Sequence, residues 1–232
     1  MGHEITSDKI AIPVGDKGST SGILTRPAAA TESRAVIVAH GAGNDMTTAL
    51  LVAFAEGIAK AGYPVLRFNF LYSEHGRKTP DRPEALMDAW LAACRSFKEI
   101  MGSKATSITA AGKSLGGRMA AIMAADGILP ADSLIFLGYP LHPMDNKEKL
   151  RDAHLYRVKI PMLFFEGTRD PLCDLGKLDP VLKSLQTSWD LFTIEGGDHS
   201  FHVPKSLGLT EEEVFGRIVK KTIDWLKRHA GR

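Results

Sequence analysis

Short apolar runs at 35–39, 64–70, 106–111, 133–138, 161–166 and 190–195 alternate with segments of helical period along the chain. No other feature restricts the possible folds so strongly. Strands and helices that alternate at this length close as βαβ units with right-handed crossovers, so the pattern predicts a mostly parallel sheet with helices on both faces. Ala35-Val36-Ile37-Val38-Ala39 carries no polar alternation, as expected of a strand buried on both sides. Ahead of it, 9–14 and 20–26 flank Gly15-Asp16-Lys17-Gly18 and read as an antiparallel hairpin at one sheet edge. A polar linker over 28–34 follows.

The helical segments carry their own punctuation. One runs from about Thr47 to Lys60 and stops at Gly62, a residue suited to the left-handed turn after a helix. A polar loop at 72–80 leads to a second, opened by Asp81 with Pro83 in its first turn and an apolar stripe of Trp90, Ala93, Phe97 and Ile100. The last starts at Thr210, where Glu213 completes a T-x-x-E capping box. The stretch 139–159 is irregular. With no repeat, low-complexity segment or long linker, residues 1–232 are expected to form one α/β domain with a minimal lid.

Open parallel sheets bind ligands beyond the carboxyl ends of their strands, so residues that follow strands deserve the closest reading. Four such places carry chemistry: His40-Gly41-Ala42-Gly43, Ser114, Asp170 and His199. Ser114 is the centre of Gly112-Lys113-Ser114-Leu115-Gly116, a G-x-S-x-G between a strand and a helix of small residues. Such a turn lifts a hydroxyl to a helix N-terminus, where backbone N–H groups face a developing anion. The pentapeptide alone also fits a glycine-rich turn with a capping serine. Gly112-Lys113-Ser114 equally ends the phosphate-loop pattern, but Ser107 stands where that pattern needs glycine, and 107–111 is β-prone.

A serine hydroxyl needs a base, and the base needs an acid to hold its tautomer. His199 lies in a Gly-Gly-Asp-His-Ser-Phe turn after the last strand, and Asp170 in Gly-Thr-Arg-Asp-Pro after the strand before it. Taken singly, these are a loop histidine and a turn aspartate. Together they give the order Ser114, Asp170, His199, with Asp198 and Glu166 as second and third choices of acid. The amides of Leu115 and Ala42 are the expected oxyanion donors, and His40 is expected to organise its own loop.

Composition removes several other classes. The net charge of +2 is dispersed and offers no nucleic-acid face. No apolar run is long enough to span a bilayer, and the N-terminus lacks the apolar core of a signal peptide. Cys94 and Cys173 have no CxxC partner and are expected to be free thiols, which points to a cytoplasmic protein. The histidines form no H-x-x-x-H or H-E-x-x-H pattern, so neither metal nor cofactor is expected; oligomeric state is not readable.

Together these residues resemble the α/β-hydrolase superfamily, and the short, nearly lidless form is similar to its dienelactone-hydrolase-like branch. HGAGNDM, FNFLYSEHGRKTPD, GKSLGGRMA, GYPLHP and GTRDPLC resemble a predicted-hydrolase group that includes animal testis-expressed and non-specific-lethal-complex relatives. The resemblance implies Ser114, Asp170 and His199 as the triad, with Ala42 and Leu115 as oxyanion donors. It departs from dienelactone hydrolases proper, whose nucleophile is cysteine, so dienelactone is not the expected substrate.

The expectation is therefore a serine hydrolase of a small-molecule acyl ester or thioester. The alternative is a binding or scaffolding protein with little turnover; a peptidase is disfavoured because no gating domain is present. The short 139–159 stretch predicts an open, shallow site, with Tyr72, His75, Arg77, Tyr139 and His142 as substrate contacts. Lys113 is expected to point away from the serine hydroxyl, toward a carboxylate behind the turn.

Overall fold

A computed structural model describes residues 2–28, 33–104 and 106–229. The linker expected over 28–34 lies largely outside these residues. The sheet has eight strands: β1 (Ile5–Pro13), β2 (Ser19–Pro27), β3 (Arg34–Ala39), β4 (Val65–Phe68), β5 (Ser107–Lys113), β6 (Ser133–Leu137), β7 (Met162–Gly167) and β8 (Trp189–Ile194). Their order is β1-β2-β4-β3-β5-β6-β7-β8. The hairpin β1–β2 joins β4 antiparallel, and every other pairing is parallel. This is the expected α/β-hydrolase architecture.

The chain leaves β3 for β4 on one side and returns to pair β5 on the other. The loops after β3 and β5 therefore diverge, opening a crevice at the switch point. Register brings the strand ends level: Ala39 pairs with Gly112, Lys113 with Leu137, and Gly167 with Ile194. The turns carrying His40, Ser114, Gly138, Asp170 and His199 thus emerge along one edge.

Both faces are covered, as the unbroken apolar runs require. In β3, Ala35, Ile37 and Ala39 enter one core with α3 (Pro83–Met101), α4 (Leu115–Ala125) and α5 (Leu175–Lys183). Val36 and Val38 enter the other with α1 (Ala49–Lys60) and α6 (Glu211–Arg228). Period-two alternation divides one apolar strand between two cores.

The structure departs from the expected elements at several places. β4 ends at Phe68, and α2 (Leu71–Glu74) occupies the start of the expected polar loop. The backbone N–H of Phe70 donates to His40 Nε2 (3.0 Å), and Asn69 Oδ1 accepts the Met46 N–H (2.9 Å), so this segment is tied to the loop after β3. α3 starts at Pro83 with Arg82, whose side chain has no acceptor, at its N-cap and so no side-chain cap, while Asp81 lies one residue ahead and accepts from Arg77 at 2.7 Å. Its buried row continues from Phe97 to Met101, an i,i+4 step, which leaves Ile100 45% exposed on the outer face. The stretch 139–159 contains only a 3-10 turn, Leu155–Arg157, in keeping with a minimal lid.

Candidate active site

Ser114 stands between β5 and α4 with φ 49° and ψ −113°, a conformation seldom adopted outside glycine. The flanking glycines make the turn possible. A Cβ on Gly112 would lie 2.1 Å from the Gly117 nitrogen, and one on Gly116 would lie 2.6 Å from the His40 carbonyl oxygen. Trp90 Nε1 donates to the Gly116 carbonyl at 3.2 Å, fixing the first turn of α4 from below. Leu115 is the first residue of α4, so its amide belongs to the turn whose N–H groups lack intrahelical acceptors.

The loop after β3 is held against this turn. His40 is fully buried; Nδ1 donates to the Gly41 carbonyl (2.8 Å) and Nε2 accepts from Phe70, which keeps the ring neutral. Burial also lowers its pKa. Both nitrogens are therefore committed to the backbone, the organising role expected for this residue. Tyr72 also donates to the Gly41 carbonyl, at 3.2 Å. A Cβ on Gly41 would touch Ser114 Cβ at 3.4 Å, so this loop packs against the serine; Ala42, next along it, is exposed.

Asp170 and His199 meet at the ends of β7 and β8. His199 Nδ1 donates to Asp170 Oδ2 at 2.6 Å, while Asp170 Oδ1 accepts the Leu172 N–H at 2.7 Å. The two loops are laced together: Arg169 N–H donates to the Gly197 carbonyl at 2.8 Å, and Gly196 N–H to Thr168 Oγ1 at 2.8 Å. Phe201, fully buried with φ 67°, anchors the histidine loop in the core. His199 Nε2 is buried and makes no hydrogen bond to the described residues. A ring fixed at Nδ1 with Nε2 unengaged can take a proton at Nε2.

The competing acids are otherwise occupied. Asp198 Oδ1 accepts from the Ser200 and His202 amides, at 2.7 and 2.9 Å, and so shapes the loop. Glu166 is fully buried beneath, accepting the Tyr139 N–H at 2.6 Å. Burial holds its pKa well above the usual carboxylate range.

A cleft of about 200 Å³ opens next to the Ser114 turn, lined among others by Gly41, Asn44, Lys113, Ser200, Glu211 and Phe215 but not by Ser114 or His199 themselves. The structure does not bring the five expected substrate contacts to it. Tyr72, Tyr139 and His142 are fully buried. Burial pushes the Tyr72 hydroxyl up to about 12. Tyr139 Oη lies 2.6 Å from the Arg151 carbonyl and 2.7 Å from His154 Nε2. His142 bonds the Pro143 carbonyl and the Asp174 amide. His75 and Arg77 are exposed on the loop after α2. The cleft residues from α1 and α6 went unread, because no local signal marks residues that only helix packing brings together. Among the described residues, no group of His, Cys, Asp and Glu could hold a metal ion, and no helix is long and apolar enough to cross a membrane.

A mostly parallel sheet with a strained serine after the strand at its switch point, and a histidine–carboxylate pair at the ends of the last two strands, fits the α/β-hydrolase class. The chain belongs to the alpha/beta hydrolase domain family, whose model matches residues 32–227. Among solved structures it is similar to a dienelactone hydrolase from Anabaena variabilis, with 21% identity, TM-score 0.76, and 97% and 99% of the two chains covered. XC6422 from Xanthomonas campestris, described as an a/b serine hydrolase without lid, matches with 20% identity, TM-score 0.68 and coverage of 93% and 94%. Est1E from Butyrivibrio proteoclasticus matches with 17% identity, TM-score 0.67 and coverage of 92% and 98%. At these identities the likeness is one of fold.

Proposed function

We propose that this protein is a serine hydrolase that cleaves a small acyl ester or thioester through an acyl-enzyme on Ser114. His199 Nε2 takes the hydroxyl proton as Oγ attacks the carbonyl carbon. The amides of Leu115 and Ala42 stabilise the oxyanion, and the imidazolium protonates the leaving alcohol or thiol. Water, deprotonated by the same ring, then releases the acid and restores Ser114. Asp170 keeps Nδ1 protonated throughout. The observation that carries this reading is the 2.6 Å bond from His199 Nδ1 to Asp170, which leaves Nε2 as the ring's unengaged nitrogen.

The small, open cleft supports a compact substrate, and the lidless 139–159 stretch supports unhindered entry. The quoted motifs favour the predicted-hydrolase group with testis-expressed and non-specific-lethal-complex relatives. The thiols of Cys94 and Cys173 are both buried and free, in keeping with a reducing, cytoplasmic setting.

The test is labelling by a fluorophosphonate, followed by a screen of short-chain esters and thioesters. The parent should label and turn over; Ser114→Ala should do neither, and His199→Ala should label far more slowly. Absence of labelling in the folded parent would refute the reading in favour of a binding or scaffolding protein.

A further inference from the structure

Lys113 is a buried cation that the proposed reaction leaves unused. It ends β5 one residue before Ser114, and its stem lines the cleft, yet its Nζ is sealed from solvent without a hydrogen-bond partner. An unpaired ammonium in such a place costs stability. Its surroundings indicate what offsets that cost. A Cβ on Gly138, at the end of β6, would lie 3.0 Å from Lys113 Nζ, 3.2 Å from the His199 carbonyl oxygen and 3.4 Å from His199 Cε1. The strand before Ser114, the end of β6 and the histidine loop therefore converge on this nitrogen. The Phe201 ring, on the same loop, has its centroid 6.0 Å from Nζ. The carboxyl groups of Glu166 and Asp170, from β7 and the turn after it, and of Asp198, from the histidine loop, all act on the ammonium. Gly138 and Tyr139, which follow β6, carry no charge that offsets it, and His202 and Glu211 line the cleft with it.

We propose that Lys113 is a positioning residue of the Ser114 site, its ammonium seated between the end of β6 and the histidine loop and acting on that loop through charge. The kinetic consequence rests on the hydrolase reading; the electrostatic link between Lys113 and the histidine loop does not. Burial lowers Lys113 to about 8 from the ordinary 10.5, with the three carboxyl groups opposing that shift. Its charge is thus lost in mildly alkaline solution, and its action on the loop is lost there too.

Lys113→Met keeps the apolar stem and removes the charge. The first readout is independent of turnover: the His199 Hε1 resonance, followed by NMR from about pH 6 to 10. The parent should show an inflection near 8 that the variant lacks. The second is kinetic, with p-nitrophenyl acetate: the variant should lose about tenfold or more in kcat with little change in KM, and its rate should no longer fall on the alkaline side. A lysine that only fills space would give parental kcat and a parental pH profile. That pattern, or a parent resonance without the inflection, would overturn the proposal. If Lys113→Met does not fold, Lys113→Gln takes its place in the same titration. If the inflection is present but fluorophosphonate fails to label the parent, the hydrolase reading falls and the Lys113 link stands.

Discussion

At the scale of single residues, the site separates groups by what their surroundings demand. Asp170 and Glu166 lie four positions apart on one strand and its turn, yet their environments differ sharply. Both oxygens of Asp170 are engaged, one by His199 and one by the Leu172 amide. Glu166 has an oxygen with no hydrogen-bond partner among the described residues, in full burial. Under the proposed mechanism, Asp170→Asn keeps the shape but favours the wrong imidazole tautomer. It should lower kcat by about 10³–10⁴-fold with little change in thermal stability, checked by steady-state kinetics beside a melting curve. Retention of more than a tenth of the parental rate would mean that another group orients His199.

At the scale of elements, turns and caps decide where chemistry is presented. β4 stops early because the Phe70 amide is given to His40 and Asn69 to Met46, so two loops are joined where a longer strand would have kept them apart. The same economy shapes α6. Thr210 Oγ1 accepts the Glu213 amide at 3.2 Å, and Glu213 returns a carboxylate to the Thr210 amide at 2.8 Å. Those bonds hold Glu213 below its ordinary range. Phe215, one turn into the helix, lines the cleft. Thr210→Ala should therefore cost about 1 kcal/mol by urea denaturation. It should leave the core unchanged, and its effect on KM should exceed that on kcat.

At the scale of the whole molecule, stability and pH are linked through the charge buried under the sheet edge. Glu166 is held above its ordinary 4.5 chiefly because burial penalises its anion. The folded state then retains a proton that the unfolded chain releases, so this contribution is complete below about 4.5 and is lost as pH rises toward the folded value. Glu166→Gln has no proton to lose and keeps an acceptor for the Tyr139 amide. The variant should gain stability relative to the parent as pH rises above about 4.5, seen as diverging urea midpoints at about pH 4 and 8. Midpoints that stay parallel would mean that Glu166 is compensated in its ionised form.

Much of this molecule could be read along the chain because its signals are local. Unbroken apolar runs specify strands buried on both faces, and their alternation with helices specifies the parallel sheet. Glycines two before and two after Ser114 specify the strained turn, and Thr210 with Glu213 specifies a helix start. The candidate site was legible for the same reason: each of its groups directly follows a strand. Tertiary structure alone decided what surrounds it. Tyr72, Tyr139 and His142 went inward because each found backbone partners there, and the cleft is lined instead by Thr48, Ser200 and Phe215, which are remote in sequence. Even the row on α3 takes the i,i+4 step from Phe97 to Met101 where i,i+3 would have chosen Ile100, because the helical period permits both and the neighbouring core selects one. Backbone preferences act over a few residues and can be read from them; a side chain's surroundings depend on packing between elements far apart in the chain, and that is settled only when they meet.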